Sequence, residues 1–339
     1  MPQSRQRQKP STKRSSYRIR NWSEYNAALK KRGSLTIWLS DQALTQWQHQ
    51  GPPQRGAQYR YSELAIQTAL TVKAIYHLGL RQTEGFLQSV VKLFGVEIDI
   101  PDYSTLSRRQ KTLTVPLAVS SSRDPVYVVV DSTGVKVFGE GEWKVRQHGI
   151  SKRRTWLKLH VAVNEASGEA LAMELTTNSI DDAAEVKPLL AQITIPIKAF
   201  GGDGGYDKLK VYSTLDARGR QQQTAIQINI PPRKDAKIIQ HGNSTHAPLA
   251  RDENLRAIRE HGRRHWKEQC GYHRRSLAEN FMFRFKTILG PQLNARIFAA
   301  QKTEVRIGCM ILNRMIALGI PDSYKKIQSF NLIGCQLSF

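Results

Sequence analysis

Val126-Tyr127-Val128-Val129-Val130-Asp131 decides the fold class. An unbroken β-branched and aromatic run of this kind reads as a strand buried on both faces, central in a sheet covered by helices. The run ends at Asp131, and open α/β sheets carry their sites at the carboxyl ends of central strands. The competing reading of Asp131 is a turn residue that stops the strand. Working outward, Val135–Phe138 reads as a short second strand, and Trp156–Asn164 alternates as the next. Ala170–Leu175 pairs with it across Ala166-Ser167-Gly168. Ile195–Phe200 and Ala225–Ile230 are further strands, with Asp181–Leu190 and Lys208–Gly219 as helices.

Two other stretches carry acids in suggestive places. Gly201-Gly202-Asp203-Gly204-Gly205-Tyr206-Asp207 follows a strand. Its glycines let a ligand or second backbone come close, and they strip side chains that would crowd a metal. The alternative is a flexible hairpin tip, with Asp207 capping the next helix. Gly271–Lys286 (Gly-Tyr-His-Arg-Arg-Ser-Leu-Ala-Glu-Asn-Phe-Met-Phe-Arg-Phe-Lys) has helix-favouring composition. At about 100° per residue, Tyr272, Arg275, Glu279 and Lys286 share one narrow stripe, with Leu277, Phe281, Phe285 and Ile288 opposite. Taken alone, this is an amphipathic helix with an Arg275/Glu279 pair worth a few tenths of a kcal/mol. One carboxylate among three phosphate-contacting groups also suits a metal site that handles a polyanion. Asp131, Asp203 and Glu279 then form a candidate acid set. Phosphodiester chemistry needs charge neutralised at the attacking and leaving oxygens, which two Mg²⁺ ions roughly 3.5–4 Å apart provide on carboxylate ligands.

Composition supports such a partner. The 339 residues hold 51 Lys or Arg against 28 Asp or Glu, a net charge of +23 and a pI near 10.1. Charge of this size marks nucleic-acid binding. A membrane surface is the competing partner, but no long apolar run appears, and no signal peptide is visible. Cys270, Cys309 and Cys335 are too widely spaced for a metal pair or a disulfide framework, which fits a reducing interior. Residues 1–21 read as a disordered basic tail and 22–119 as a helical domain. Ser62 caps a helix from Tyr61 to Leu80, and Thr83–Phe94 follows with Phe94 inward. Ser104 caps a third helix that exposes Arg108, Arg109 and Lys111. This arrangement looks like a helix-turn-helix module, with a plain helical bundle as the alternative. Trp143, Arg146 and His148 lie in a stretch interleaving Trp with cations, which suits phosphates plus base stacking. Residues 234–262 read as an irregular basic insertion, Asn294–Leu318 as a helix pair, and 322–339 as a C-terminal tail.

Tyr272, Arg275, Glu279 and Lys286 match without a gap the Tyr-x2-Arg-x3-Glu-x6-Lys signature of bacterial DDE insertion-sequence transposases of the insertion-sequence-five family. Val-Val-Asp131-Ser-Thr-Gly and Gly-Asp203-Gly-Gly-Tyr-Asp match its other two acids. Gly139–Gly149 and Tyr103–Arg109 resemble further segments of one subgroup, and the likeness runs from about Trp22 to Pro321. Gly205 departs from the family's usual Ala, which leaves Asp203 favoured over Asp207 but not settled. The resemblance implies an α/β chain with a ribonuclease-H-like mixed five-stranded sheet and flanking helices over 120–321, preceded by the small helix-turn-helix-like DNA-binding domain. It implies binding to double-stranded DNA at the element's terminal inverted repeats, hydrolysis of strand ends, and joining of 3′-hydroxyls to target DNA. Asp131, Asp203 and Glu279 would hold two Mg²⁺ ions, for which Mn²⁺ may substitute, and Tyr272, Arg275 and Lys286 would position the DNA backbone. A homo-oligomer on DNA, a cytoplasmic, nucleoid-associated location and no membrane are the remaining expectations.

Overall fold

The computed structural model describes residues 17–52, 55–56, 58–117, 119, 124–137, 156–240 and 248–325. The chain divides into two compact units, one of residues up to Gly33 with those from Leu318 onward, the other Ser34–Ala317. In the first, β1 (Tyr17–Ile19) pairs antiparallel with β8 (Ser323–Lys325), ahead of the helix Trp22–Arg32. Asn21 ties these ends together: its Nδ2 donates to the Ile320 carbonyl at 3.0 Å and its Oδ1 accepts from Asp322 N at 2.7 Å. Order therefore begins before Trp22 and reaches past Pro321, because each end supplies the other's ladder.

The second unit is built on a mixed sheet of order β4-β3-β2-β5-β6, six-stranded with β7 added to β2. The strands are β2 (Val126–Val137), β3 (Trp156–Asn164), β4 (Ala170–Thr177), β5 (Ile197–Gly201), β6 (Gln227–Asn229) and β7 (Gln292–Leu293). β3 runs antiparallel to β2 and to β4, whereas β5 is parallel to β2 and β6 to β5. Two expectations change here. The sheet has six strands rather than five, because Lys136 and Val137 pair in parallel with Gln292 and Leu293. β2 does not stop at Asp131 and restart at Val135; it runs unbroken for 12 residues, since β3 pairs with it from Val128 to Lys136.

Alternation along β2 explains its apolar run. Val126, Val128 and Val130 face one buried cluster with Val186, Leu189, Val211 and Leu215. Val129 and Val135 face the other, with Phe281, Phe285 and Ile311. Helices cover both faces. One cover is a single helix Phe298–Leu318 of 21 residues, not a helix pair. Its Asn313, 1% exposed, grips β4: Nδ2 donates to Ala170 O at 2.9 Å and Oδ1 accepts from Ala170 N at 2.8 Å. This closes the register shift between β3 and β4 at Ala162/Val163. The stretch Asp181–Leu190 is not one helix but a 3₁₀ turn, Asp182–Ala184, followed by the helix Val186–Ala191. The 234–262 stretch is not all irregular, because Ala250–His261 is a helix with Asp252 and Leu255 buried.

The helices Glu63–Ile75, Leu80–Leu93 and Tyr103–Arg109 share the Val129 cluster through Ile66, Leu87 and Leu106. Ser62 caps the first as expected, accepting from Ala65 N at 3.0 Å. Phe94 is 65% exposed rather than inward, because the second helix ends at Leu93. Asp102, not Ser104, caps the third: one carboxylate accepts from the backbone and hydroxyl groups of Ser104 and Thr105. Arg109 is a further correction. It is 8% exposed, donates to the Tyr61 carbonyl at 3.0 Å and lies 4.0 Å from the Tyr59 ring centroid, whereas Arg108 is exposed. No helix among the described residues is long and apolar enough to cross a membrane.

Two stability outcomes follow. Asn313→Leu removes both bonds to Ala170 and should cost about 2–5 kcal/mol in urea unfolding; a midpoint unchanged from the parent would show that Ala170 finds other partners. Arg109→Ala should cost about 2 kcal/mol, while Arg108→Ala should stay within about 0.5 kcal/mol. Equal effects of the two would contradict their different surroundings.

Candidate active site

Register places the site. β5 pairs with β2 only as far as Gly201 opposite Val129, and β7 joins β2 only at Lys136. Between them, Val130–Val135 has no strand partner on that edge among the described residues. Asp131 sits in this opening, in mid-strand, on the same face as Val129 and Val135. Asp203 lies two residues past β5, at the start of the 3₁₀ turn Gly204–Tyr206, and its Oδ1 accepts from Gly205 N at 2.8 Å. Glycines make room at two points of this approach. A Cβ on Gly202 would stand 2.9 Å from the Tyr206 ring, and one on Gly205 would stand 2.9 Å from Asp203 Oδ1.

Glu279 arrives on the helix Ser276–Ile288, which buries Ala278, Phe281, Met282 and Phe285. The single long helix expected from Tyr272 is broken. Gly271 takes the left-handed region (φ 67°), Tyr272–Arg275 forms a 3₁₀ turn, and the α-helix starts at Ser276. The common stripe is therefore not a single α-helical face, yet the turn still delivers Arg275 to the acids. Its Nη1 lies 3.8 Å from Asp131 Oδ2, and its Nη2 donates to Glu279 Oε1. Its Nε is buried without a hydrogen-bond partner. Glu279 is half exposed, and Asp131 is mostly covered.

Asp131 feels the charge of the other two acids. Burial raises the Asp131 pKa, the Ser132 N–H and Arg275 pull it down, and Asp203 and Glu279 push it up again. The Tyr272 phenol is raised first by burial, with Arg275 opposing and Asp203 and Glu279 adding. Burial alone would lower the Arg275 pKa, but Tyr272, Glu279 and Asp131 outweigh it and hold the guanidinium charged. Tyr272 packs near Trp266, ring centroids 6.1 Å apart, with Lys267 Nζ 4.9 Å over its ring. Lys286 does not stand free in the opening: its Nζ donates to Thr133 Oγ1 at 2.6 Å. Thr133 shares the Asp131 face of β2, two residues on.

Asp207 is taken up elsewhere, its side chain fully buried against Arg251 at 2.9 Å. Trp143, Arg146 and His148 lie outside the described residues. Sequence reasoning missed a polar network on the opposite face of β2. Ser132 Oγ donates to Asp182 Oδ2 at 2.9 Å, Lys158 Nζ donates to Asp182 Oδ1 at 2.9 Å, and Ser132 is paired across strands with His160. Burial depresses the His160 pKa, with Asp182 opposing. The alternation Asp131-Ser132-Thr133 in a continuing strand was the available signal.

The donor set suits a hard divalent cation: oxygen ligands alone, on mutually repelling carboxylates. A guanidinium already bridges two of them as counter-charge. No three His, Cys, Asp or Glu side chains among the described residues are gathered as a metal-binding group.

Family profiles described as transposase DDE domains match residues 30–140 and residues 122–314. Among solved structures, the chain is similar to a piggyBac transposase in a synaptic complex with hairpin DNA. That likeness has a TM-score of 0.39 and 10% sequence identity, over 89% of this chain and 77% of the other. The second profile spans more than half of the 339 residues, and it encloses Asp131, Asp203 and Glu279. The chain belongs to the DDE transposase family.

Proposed function

We propose that this chain binds the terminal inverted repeats of an insertion sequence, hydrolyses the strand ends and joins the freed 3′-hydroxyls to target DNA. The observation that carries this is Arg275 set between Asp131 and Glu279, with Asp203 electrostatically coupled to Asp131. The strand order, with three antiparallel strands followed by two parallel ones, supports a ribonuclease-H-like sheet. Family membership implies dependence on a divalent metal. Asp131, Asp203 and Glu279 would hold it, as Mg²⁺ or Mn²⁺. When bound, such ions neutralise charge on the attacking and leaving oxygens of the phosphodiester.

The chain's own groups do the rest. Glu279 is half exposed, so it can turn from Arg275 toward a ligand. Arg275 is then free to fork a backbone phosphate, and Lys286 to offer a point charge beside it. Tyr272, packed on Trp266, would limit how the strand enters. Water attacks the phosphorus as the bond to the 3′-oxygen breaks, and a water proton ends on that oxygen; the freed 3′-hydroxyl then attacks a target phosphodiester, forming a new phosphorus–oxygen bond while the target's own 3′-oxygen leaves with the hydroxyl's proton. The net charge of +23 draws the polyanion in by counterion release. Arg108, exposed on its capped helix, is the cation offered to end DNA by the helical segment 22–119, which we read as a helix-turn-helix-like domain. Labelled end DNA incubated with Mg²⁺ and a target plasmid tests this: joined product supports it, and nicks alone would mean a nuclease without strand transfer.

Glu279→Gln should slow cleavage on the order of a thousandfold, the several kcal/mol expected of a lost metal ligand. End binding in a gel shift should persist; its loss would make Glu279 structural. Lys286→Ala should slow cleavage and joining about tenfold, or ~1.4 kcal/mol. The deficit should shrink at low salt, where other cations compensate. A variant that joins at full rate but melts several degrees lower would reduce Lys286 to a strand-bracing partner of Thr133.

A further inference from the structure

Four residues beyond Asp203, at the far end of the same turn, Asp207 is a carboxylate that the proposed chemistry does not use. Its side chain has no solvent exposure and takes up four donors. Oδ1 accepts from Arg251 Nε at 2.9 Å and from Tyr212 Oη at 3.2 Å, and Oδ2 accepts from Arg233 N at 3.0 Å and Arg251 Nη2 at 3.5 Å. Arg251 in turn donates through Nη1 to the Lys237 carbonyl at 3.0 Å. Its neighbour Asp252, fully buried, accepts from Ile239 N at 3.0 Å and Gln240 N at 2.7 Å. The whole stretch from Arg233 to Gln240 is thereby fastened to the first turn of the Ala250–His261 helix, and both to Asp207.

The turn between the two aspartates is short and tight. Tyr206, 2% exposed, plugs the Val130 cluster from its middle. Asp203 caps its start and Asp207 closes its end, with Asp207 N bonded to Gly204 O at 3.3 Å. Glycine at 201, 202, 204 and 205 leaves this backbone few side-chain constraints of its own. The Gly205 N–H fixes the Asp203 carboxylate relative to the turn, and what fixes the turn itself is its bonded Asp207 end.

We infer that the buried Asp207–Arg251 pair is a positioning device that holds the Asp203 carboxylate for metal binding. The inference rests on the reading of Asp203 as a metal ligand. Asp207 and Arg251 are positioning residues, touching neither metal nor DNA. Residues 233–240 and the helix Ala250–His261, from the stretch that reads as an irregular basic insertion, become the wall against which the site's second acid is braced. Groups that orient a ligand from behind commonly govern metal affinity by about ten- to a hundredfold.

The test is the affinity of the full-length chain for Tb³⁺ or Mn²⁺, read by sensitised Tb³⁺ luminescence or Mn²⁺ electron paramagnetic resonance without DNA. The double variant Asp207→Leu/Arg251→Met removes both charges and keeps apolar bulk, so stability should largely survive. Its metal dissociation constant should rise at least about tenfold, with the melting temperature near the parent's. Arg251→Lys keeps the charge but loses the fork, and should weaken metal binding less than the double variant does. Parental metal affinity in a folded double variant would overturn the inference; should that protein fail to fold, parental affinity in Arg251→Lys would overturn it instead. Asp203→Asn is the control for the underlying reading. If it binds metal as the parent does, the ligand assignment of Asp203 fails; if it loses metal while the pair variants do not, only the positioning role fails.

Discussion

The site depends on where one ladder stops. β2 is paired with β3 along nearly its whole length, but its other edge is shared with β5 only through Val129. Past that point the strand continues, paired with β3, with an edge that no strand among the described residues covers until Lys136. An acidic side chain in a fully paired central strand would be buried between helices at prohibitive cost. Asp131 avoids that because β5 turns away after Gly201 and the glycine-rich turn makes room. The same departure leads the chain to Asp203, whose charge acts on Asp131. Both acids are thus products of a single divergence between two parallel strands.

Charge balance at the opening follows from this. A covered Asp131 with two other acids in range would tend toward protonation, and the raised pKa reflects it. Arg275 supplies the compensating charge from a 3₁₀ turn, which delivers it at an angle that a straight helix would not. Lys286, on the helix that follows, braces Thr133 at the far end of the same opening. The second cation is therefore tied to the strand and the first to the acids.

How much of this was legible varied by residue. The buried run at Val126, the Ser62 cap and the Arg275/Glu279 pair were readable, because each rests on local pattern or on a spacing. The continuation of β2 was not. Ser132-Thr133-Gly134 reads as a turn, and these residues are polar because Asp182 and Lys286 wait for them, which only tertiary structure shows. Arg109 looked like a surface cation since helical spacing says nothing about the Tyr61 carbonyl. The Ala250–His261 helix was hidden by its charges, although Arg251 is mostly covered and Asp252 buried, each with bonded partners. β7, two residues long, carries no signal of its own.

The helices from Glu63 to Arg109 and the sheet bury one continuous apolar cluster, from Ile66 and Leu106 through Val129 to Phe281. Such a core deforms little, since packed interiors transmit displacement rather than absorb it. If Arg108 grips an element's end while Asp131 faces the bond to be cut, the interval between grip and cut is a dimension of the protein. The molecule would then behave as a ruler laid along DNA, counting base pairs by the thickness of its own hydrophobic interior.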